Sequence, residues 1–372
     1  MKKKKILFIF GTRPEAIKMA PLIREFSRYP AFSTKVCVTA QHREMLDQVL
    51  DFFKITPDFD LKLMKPGQSL FDITSNAVKS LENVLDDFKP DLIFVQGDTT
   101  TAFVGALCGF YKKIKVGHVE AGLRSGNKFS PFPEEMNRIL AGHLADFHFA
   151  PTMKAQNNLK NEQISKNVWV VGNTVIDALL WGLKLINRKD RIELEKRYEF
   201  IDFSRKLILV TGHRRESFGK PFENICYTLR HIAKRNEVEI VYPVHLNPNV
   251  RKPVYGILKD IKNIHLIEPI SYRDLIWLMK KSYLVLTDSG GIQEEAPSLG
   301  KPVLVMRDVT ERTEGIKAGN AKLVGTKRNK IIKETIKLLT DARAYKKMAK
   351  AVNPYGDGKS SKKIIRIIKK VI

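Results

Sequence analysis

Short apolar runs alternate with segments of helical spacing along the first half of the chain. Runs of four or five apolar residues that end at polar turns are typical of buried parallel strands. The predicted strands are Ile6–Phe10, Val36–Thr39, Leu92–Val95, Val116–Glu120, Phe147–Ala150 and Val168–Val171. The predicted helices are Ala16–Tyr29, Gln41–Phe53, Ser69–Asp87 and Thr100–Tyr111. This βαβα order predicts a parallel sheet with helices on both faces.

The second half of the chain starts the same pattern again. Its predicted strands are Leu207–Thr211, Glu239–Val244, Ile264–Ile267, Tyr283–Thr287, Val303–Met306 and Ala321–Val324. The segment Gly172–Phe203 contains a helix and a charged stretch, and we interpret it as the crossover between two domains. The fold class is therefore α/β with two doubly wound domains, and ligands are expected in a cleft at the carboxyl ends of the strands.

The last segment, Ser360–Ile372, has apolar residues at helical spacing between lysines and arginines. This pattern predicts a final packed helix, with a helix on a membrane surface as the alternative. No apolar run approaches the ~20 residues that a membrane span needs. The apolar run after the first lysines is too short for a signal peptide, so we expect a cytoplasmic protein without a membrane.

The net charge of +25 bears on which partner the protein binds. A strongly basic chain suggests an anionic partner, such as nucleic acid or a phosphorylated substrate. The lysines are dispersed, however, and arginines are not interleaved with aromatic residues, so no nucleic-acid partner is expected. The three cysteines lie far apart in apolar surroundings and are interpreted as reduced core thiols.

The stretch 283–312 reads strand, glycine turn, helix, strand. Such a turn aims backbone N–H groups and the positive end of a helix at one point, which favours phosphate. Ser289, Gly290 and Gly291 allow close approach of an anion, Glu295 is suited to ribose hydroxyls, and Arg312 is suited to clamp a phosphate. The alternative is an ordinary turn whose glycines only make the bend.

Charged residues also follow several other predicted strands. Asp98 is either a helix N-cap or a catalytic group, and both roles are compatible. Glu120 ends a strand at the mouth of the sheet, where packing gives a carboxylate no role. Glu134 opens a helix, where it either matches the helix dipole or acts in chemistry. Arg13, Lys18, Arg138 and His213 lie on or near such turns. The signatures of dinucleotide binding, P-loops and zinc hydrolases are absent.

Six motifs occur together and in order: GTRPEA (11–16), QGDTT (96–100), HVEAGLR (118–124), PEEMNR (133–138), GHRRE (212–216) and DSGGIQEE (288–295). In this combination the chain resembles the non-hydrolysing UDP-N-acetylglucosamine 2-epimerases of bacteria, from about residue 5 to about residue 360. The resemblance implies two Rossmann-like domains in the glycosyltransferase-B arrangement, over residues 1–172 and 173–355. A C-terminal helix at about 356–372 is expected to pack back on the first domain.

The resemblance also implies an activity. UDP-N-acetylglucosamine (UDP-GlcNAc) and UDP-N-acetylmannosamine (UDP-ManNAc) would be interconverted without a redox cofactor or metal, by a homodimer that supplies cell-surface polysaccharide. The expected route eliminates UDP to 2-acetamidoglucal and adds it back. The implied catalytic residues are Asp98, Glu120, Glu134 and His213. The implied substrate-binding residues are Arg13, Lys18, Arg138, Ile270, Leu275, Ser289, Gly290, Gly291, Glu295 and Arg312. A second, regulatory UDP-GlcNAc site would involve Gln41, Arg43 and His245.

Three other functions compete with this interpretation. A glycosyltransferase of the same architecture would use a UDP-sugar donor and would require an acceptor, because the fold alone does not decide between them. A hydrolysing epimerase would release free sugar and UDP. A nucleic-acid-binding protein is supported by the net charge alone, and it would show salt-sensitive binding to random DNA without binding UDP.

Overall fold

The computed structural model describes residues 3–39, 43–64, 67–235 and 237–372. It divides into two compact α/β units, one formed by Met1–Trp181 with Tyr355–Ile372 and the other by Gly182–Pro354. The chain passes from the first unit to the second inside a continuous helix, Thr174–Leu185. A continuous helix has no local turn to mark such a boundary in the sequence.

The first unit contains a parallel sheet with the order β3-β2-β1-β4-β5-β6-β7 in the described residues. Its strands are β1 (Lys4–Phe10), β2 (Phe32–Val38), β3 (Phe59–Asp60), β4 (Leu92–Gln96), β5 (Lys115–Val119), β6 (Phe147–Ala150) and β7 (Val168–Val170). Its helices are α1 (Arg13–Ser27), α2 (Arg43–Phe53), α3 (Leu70–Phe88), α4 (Thr100–Tyr111), α5 (Glu134–Leu144), α6 (Met153–Asn161) and α7 (Thr174–Leu185).

The second unit contains a parallel sheet with the order β10-β9-β8-β11-β12-β13, again counted over the described part of the chain. Its strands are β8 (Lys206–Thr211), β9 (Val238–Pro243), β10 (Ile264–Ile267), β11 (Leu284–Thr287), β12 (Val303–Val305) and β13 (Ala321–Leu323). Its helices are α8 (Arg188–Arg197), α9 (Lys220–Ala233), α10 (Pro248–Leu258), α11 (Tyr272–Lys281), α12 (Gly290–Glu295), α13 (Thr313–Ala318), α14 (Arg328–Thr340) and α15 (Ala342–Ala349).

In each sheet the first three strands are added in one direction across the sheet, and the later strands are added on the other side of the first one, β1 or β8. This reversal of strand order is typical of Rossmann-like sheets. In the first unit the two sides of β1 pack on different helices: Leu7 lies in a core with residues of α3 and α4, whereas the ring of Phe8 contacts Phe26 of α1 at 5.6 Å. Both faces of this sheet are therefore covered. The prediction of two doubly wound, Rossmann-like domains is confirmed.

The final helix, α16 (Ser360–Val371), belongs to the first unit. Its residues Ile364, Ile365 and Ile368 are buried, and it packs on α1. Asp177 of α7 accepts hydrogen bonds from the backbone N–H groups of Ser360 at 3.1 Å and Ser361 at 2.8 Å. The predicted packed helix is confirmed, and the membrane-surface alternative is disfavoured because protein already covers its apolar face.

Over the described ranges of the chain, no helix combines the length and the apolar character that crossing a bilayer requires.

Candidate active site

The predicted site residues of the first unit lie after β1, β4 and β5, where parallel strands present their carboxyl ends. We call Lys18, Asp98, Glu120, Glu134 and Arg138 the first-unit cluster. The turns after β1 and β4 flank the point at which the strand order reverses, which is where such sheets bind ligands. The cluster therefore occupies the edge of the sheet that the sequence predicted.

Glu120 directly follows β5 and is held on several sides. Its backbone φ is +64°, an uncommon conformation for a residue other than glycine. Its Oε2 atom lies 2.5 Å from Lys18 Nζ and accepts hydrogen bonds from Gln96 at 3.1 Å and Asn173 at 2.9 Å. With 8% of the residue exposed, this carboxylate is fixed in direction and shielded from water.

Asp98 lies in the turn after β4. Gly97, the residue before it in this turn, has a backbone φ of +70°. Arg138 of α5 donates a hydrogen bond to its carboxylate, and Asn137 donates one to its backbone carbonyl at 3.0 Å. The same guanidinium donates to the buried Glu135 at 3.2 Å. The sequence places Arg138 four residues after Glu134, but its acidic partner on the helix is Glu135, three residues away. Arg138 thus ties α5 to the turn that carries Asp98.

Glu134 is the first residue of α5 and is half-buried. Its Oε2 atom is buried and has no hydrogen-bond partner within the described part of the chain. Buried carboxylate oxygens are usually satisfied, so an unpaired one calls for an explanation. This unsatisfied oxygen marks Glu134 as a candidate for a partner that the protein chain itself does not supply.

Two buried groups that the sequence reasoning did not single out fix the turns themselves. The Glu15 carboxylate accepts from the backbone N–H groups of Gly11 at 3.1 Å and Thr12 at 2.8 Å, and from the Thr99 hydroxyl at 2.6 Å. It therefore joins the turn after β1 to the turn after β4. Burial raises the pKa of Glu15, and the hydrogen bonds from Thr99 and Thr12 act in the opposite direction.

His118 of β5 forms a second link to the same region. Its Nε2 atom donates to the Gly97 carbonyl at 2.7 Å, because a carbonyl can only accept. The ring is completely buried, and this burial lowers the pKa of His118 to about 4. The histidine therefore remains neutral at physiological pH and acts as a fixed donor that shapes the turn before Asp98.

The second unit has its own polar cluster at the ends of β8 and β11. We call His213, His245, Gly290, Glu295 and Arg312 the second-unit cluster. Asp288, at the end of β11, accepts from the backbone N–H groups of His213 at 2.7 Å and Arg214 at 2.8 Å. The His213 ring stacks on His245 with centroids 5.1 Å apart. Burial lowers the pKa of His213, the Asp288 carboxylate raises it, and His245 lowers it further.

The glycine turn after β11 lies against Arg312. A Cβ atom on Gly290 would come within 3.3 Å of the Arg312 guanidinium carbon, so a larger residue here would press on the arginine. Arg312 is oriented by Glu294, which accepts from its Nε atom at 2.8 Å. Ser289 precedes the short helix α12, and its side chain caps no N–H group of that helix. The turn thus presents small residues beside an oriented cation.

Glu295 and the two predicted apolar residues lie near the start of α11. Tyr272 donates a hydrogen bond to Glu295 Oε1 at 2.8 Å, and Glu295 is 5% exposed. Ile270 precedes the helix, Leu275 lies within it, and both are half-buried. In the first unit, Arg13 is the half-buried first residue of α1.

Two predicted regulatory residues cannot be placed. Gln41 and the side chain of Arg43 lie outside the described residues, and the stacking of His245 on His213 puts the third member of that set beside a predicted catalytic residue. Among the residues that are described, no group of three or more His, Cys, Asp or Glu side chains is arranged to hold a metal ion.

Four residues that support the site were missed, although three of them left a signal. Thr12 and Glu15 form a capping box, and the T-x-x-E spacing announces it in the sequence. Asp288 stands inside a quoted motif, but it was interpreted only as the end of a strand. Asn173 gave no local signal, because its contact with Glu120 depends on the packing of α7 against the sheet.

Comparison with known proteins gives one consistent result. The family model described as "UDP-N-acetylglucosamine 2-epimerase" matches residues 24–369. A UDP-N-acetylglucosamine 2-epimerase of Yersinia pestis is 58% identical over 369 residues, 98% of each chain, and one of Escherichia coli K12 is 55% identical over the same coverage.

Solved structures agree with these relatives. The UDP-GlcNAc 2-epimerase of Neisseria meningitidis bound to UDP-GlcNAc superposes with a TM-score of 0.93 at 52% identity, over 98% of this chain and 100% of that one. The enzyme of Methanocaldococcus jannaschii in complex with UDP-GlcNAc and UDP has a TM-score of 0.83 at 35% identity, over 98% of this chain and 99% of that one.

Proposed function

Because this chain belongs to the UDP-N-acetylglucosamine 2-epimerase family, we propose that it interconverts UDP-GlcNAc and UDP-ManNAc by inverting C2 of the sugar. The family is one of isomerases. The observation that carries the proposal is identity of 58% over 98% of the chain to a protein with that name. A transferase that uses a UDP-sugar donor is not favoured, because both the family model and the relatives bear the epimerase name.

The chemistry explains why acids and an anion site are both needed. The C2–H bond of the sugar is not acidic, since no carbonyl adjoins C2 in the ring. In the proposed route the C1–O bond breaks, UDP leaves with the electron pair, and a carboxylate takes the C2 proton, which gives 2-acetamidoglucal. A proton is then delivered to the opposite face of C2, and the UDP oxygen forms the C1–O bond again.

We assign proton transfer to Asp98, Glu120 and Glu134. Support comes from the fixed direction of Glu120, from the tie between Asp98 and Arg138, and from the unpaired buried oxygen of Glu134. Lys18 and Arg138 orient two of these carboxylates, Glu120 and Asp98 respectively. General acid or base catalysis of this kind contributes ~10²–10⁴-fold in rate.

We assign the nucleotide to the second unit. Ser289, Gly290 and Gly291 would contact phosphate, with Arg13, Arg312 and His213 stabilising the diphosphate as it departs. Glu295, oriented by Tyr272, would accept hydrogen bonds from ribose hydroxyls, and Ile270 to Leu275 would contact the uracil. The supporting observation is the close contact between Gly290 and the Arg312 guanidinium. His213 would also protonate the leaving diphosphate.

The remaining parts of the proposal concern context. We assign residues 1–172 with the last helix to a catalytic domain and residues 173–355 to a nucleotide domain. The enzyme would act as a homodimer in the cytoplasm and supply ManNAc units for cell-surface polysaccharide. Gln41, Arg43 and His245 would contribute to a second, regulatory UDP-GlcNAc site, and the stacking of His245 on His213 would link that site to the diphosphate.

One experiment tests the class of reaction and the route together. The purified protein is incubated with UDP-GlcNAc in D₂O, without an acceptor, and the recovered UDP-sugars are analysed by NMR. We expect UDP-ManNAc to form and deuterium to enter C2 of both UDP-sugars. Formation of UDP-ManNAc without deuterium at C2 would overturn the elimination route, and release of free sugar without UDP-ManNAc would overturn the epimerase assignment.

A further inference from the structure

A pocket of about 330 Å³ lies in the first unit between α1, β2, the end of α2 and α7. Its lining includes Arg24, Arg28, Thr34, Lys54 and Trp181, and none of these belongs to the first-unit cluster. The volume is within the range of sites that hold small molecules. The pocket therefore has room for a ligand, and its lining decides which ligand it suits.

The wall of the pocket is built around one indole ring. The Arg24 guanidinium carbon lies 4.5 Å from the centroid of the Trp181 ring, and the Phe53 ring contacts the same indole at 4.8 Å. A cation over an aromatic ring is attracted by the negative face of that ring. Arg24 is thus held in place by the indole, with its N–H groups left to bind another partner.

The charges around the pocket are unequal. Arg24, Arg28 and Lys54 contribute three cations, whereas Asp58 is the single acid in the lining. Asp58 uses Oδ2 to accept from the backbone N–H of Val36 at 2.9 Å. Arg28 has a long ion pair of 3.9 Å with Glu25, and no ion pair of Arg24 or Lys54 occurs within the described residues. The pocket therefore favours an anion.

One buried polar atom in the lining is unsatisfied. Thr34 Oγ1, on β2, is buried and has no hydrogen-bond partner in the portion of the chain that the structure describes. A hydroxyl can both donate and accept, so leaving it unpaired away from water is unfavourable. Ser27 and Thr56 add two further hydroxyls to the lining. A ligand with its own hydroxyl groups would pair with those of Ser27 and Thr56, and with that of Thr34 once its side chain turns towards the pocket.

From these features we propose that the pocket binds the phosphate monoester of a small polyol, such as a sugar phosphate. Arg24, Arg28 and Lys54 hold the phosphate, because guanidinium groups match phosphate oxygens well. Thr34 and Asp58 hydrogen-bond to the hydroxyl groups of the polyol, and the apolar side chains of Ile23 and Ile55 in the lining contact its carbons. This site is independent of the nucleotide site assigned to the second unit.

Calorimetric titration of the full-length protein tests the proposal, with saturating UDP present so that the second unit is already occupied. The probes are glucose 6-phosphate, inorganic phosphate and glucose. We expect one glucose 6-phosphate per chain, bound at least about tenfold more tightly than inorganic phosphate, and no detectable binding of glucose. Equal affinity for inorganic phosphate would overturn the polyol part, and equal affinity for glucose would overturn the phosphate part.

Variants locate the binding in the pocket. Arg24→Ala should weaken glucose 6-phosphate at least about tenfold, since it removes a charge-assisted contact. Arg328→Ala is the matched control, because Arg328 also lies over an aromatic ring, that of Tyr227 at 5.5 Å, but in the second unit. The affinity of the Arg328→Ala variant for glucose 6-phosphate should equal that of the wild type.

Thr34→Val keeps the shape of the side chain and removes its hydroxyl, and we expect about three- to tenfold weaker binding. This variant keeps the test decisive should Arg24→Ala fail to fold. Absence of saturable binding in the wild type, or unchanged affinity in both Arg24→Ala and Thr34→Val, would overturn the proposal. Neither outcome bears on the epimerase assay, so the two proposals fail separately.

Discussion

In the first unit the turns after the central strands carry acids, whereas in the second unit the turns after the equivalent strands carry glycines, a histidine and an oriented arginine. The supports beneath these turns are nevertheless alike. A buried carboxylate joins two turns in each unit, Glu15 in the first and Asp288 in the second. A buried side chain also holds the carbonyl of a turn glycine: His118 bonds Gly97, and Tyr242 bonds Gly212.

The difference shows which parts of a Rossmann-like unit are scaffold and which are chemistry. Both units have the same strand order, and in both units buried side chains form hydrogen bonds to the turns, although the residues differ. These hydrogen bonds serve to shape the turns. The side chains that remain at the edge differ in charge: Asp98, Glu120 and Glu134 in one unit, His213 and Arg312 in the other. On the proposed roles of these residues, one fold would serve proton transfer or anion binding according to a few residues on its turns.

The largest expected effect comes from the acids of the first unit. Glu134→Gln should lower kcat by ~10²–10⁴-fold, because it removes a proton-transfer group, and should leave UDP affinity unchanged. Asp98→Asn and Glu120→Gln should lower kcat by the same order, with some loss of stability because each also breaks an ion pair. Steady-state kinetics and UDP calorimetry provide the measurements.

Asp86→Asn is the matched control for these variants, since Asp86 is an exposed acid paired with Lys112 in the same unit. It should retain wild-type turnover. If kcat were near normal in all three variants, Glu134→Gln, Asp98→Asn and Glu120→Gln, the assignment of proton transfer to the first unit would be wrong.

The second expected effect belongs to the glycine turn of the second unit. Gly290→Ala places a methyl group against the Arg312 guanidinium, and the displaced arginine should weaken UDP binding about 10- to 100-fold. Calorimetry with UDP measures the change. Gly256→Ala is the control, because a Cβ atom there meets nothing within 4 Å. If both variants bind UDP equally well, the anion site of the second unit lies elsewhere.

The third effect is a pH dependence of stability that arises from His118 in the first unit. The pKa of His118 falls from 6.5 to about 4 on folding, so the unfolded chain takes up a proton at pH 5 while the folded protein does not. Stability from this group is present above pH 6.5 and is lost as the pH falls towards 4, by about 2 kcal/mol between pH 7 and pH 5.

His118→Gln should remove this loss, whereas His143→Gln, which changes an exposed histidine of α5, should retain it. Urea unfolding at pH 7 and pH 5 measures the difference. An identical pH 7 to pH 5 change in wild type and His118→Gln would contradict the prediction.

The smallest effect concerns the equivalent tie in the second unit. Tyr242→Phe removes the hydrogen bond of 2.6 Å to the Gly212 carbonyl and should lower the free energy of unfolding by about 1 kcal/mol. Since a buried phenol does not titrate near neutrality, this loss should be the same at pH 5 and pH 7. If the loss of unfolding free energy in Tyr242→Phe were larger at pH 5 than at pH 7, the expected difference between the hydrogen bonds of Tyr242 and His118 would be wrong.

Much of the fold could be predicted because buried parallel strands are nearly continuous apolar runs. The strands Phe147–Ala150 and Ile264–Ile267 and the helix Thr100–Tyr111 have the predicted bounds. The strand Phe59–Asp60 was missed because two residues make no pattern. The single helix predicted within 283–312 is in fact α12 followed by a 3₁₀ turn, Ala296–Leu299, in which Pro297 cannot donate an α-helical hydrogen bond.

The site residues could be predicted from the sequence only where a chemically reactive side chain stands at the end of a predicted strand or the start of a predicted helix. Asp98, Glu120 and Glu134 follow strands or open a helix, so their position was visible in the sequence. The partners that orient them were not, because Lys18, Asn173 and Arg138 reach them across distances along the chain that only the folded sheet closes. The charged stretch 187–198 was interpreted as part of a crossover, but it forms α8, which Arg197 and Arg273 tie to the second unit.

The first unit is interrupted in the chain, since its final helix follows the whole of the second unit. A ribosome therefore completes residues 182–354 before it releases α16, and the second unit can close its sheet on the nascent chain. The side of α1 that α16 covers stays exposed until α16 emerges. Translation that stops before α16 would thus leave the second unit complete and the first unit with one flank of α1 uncovered.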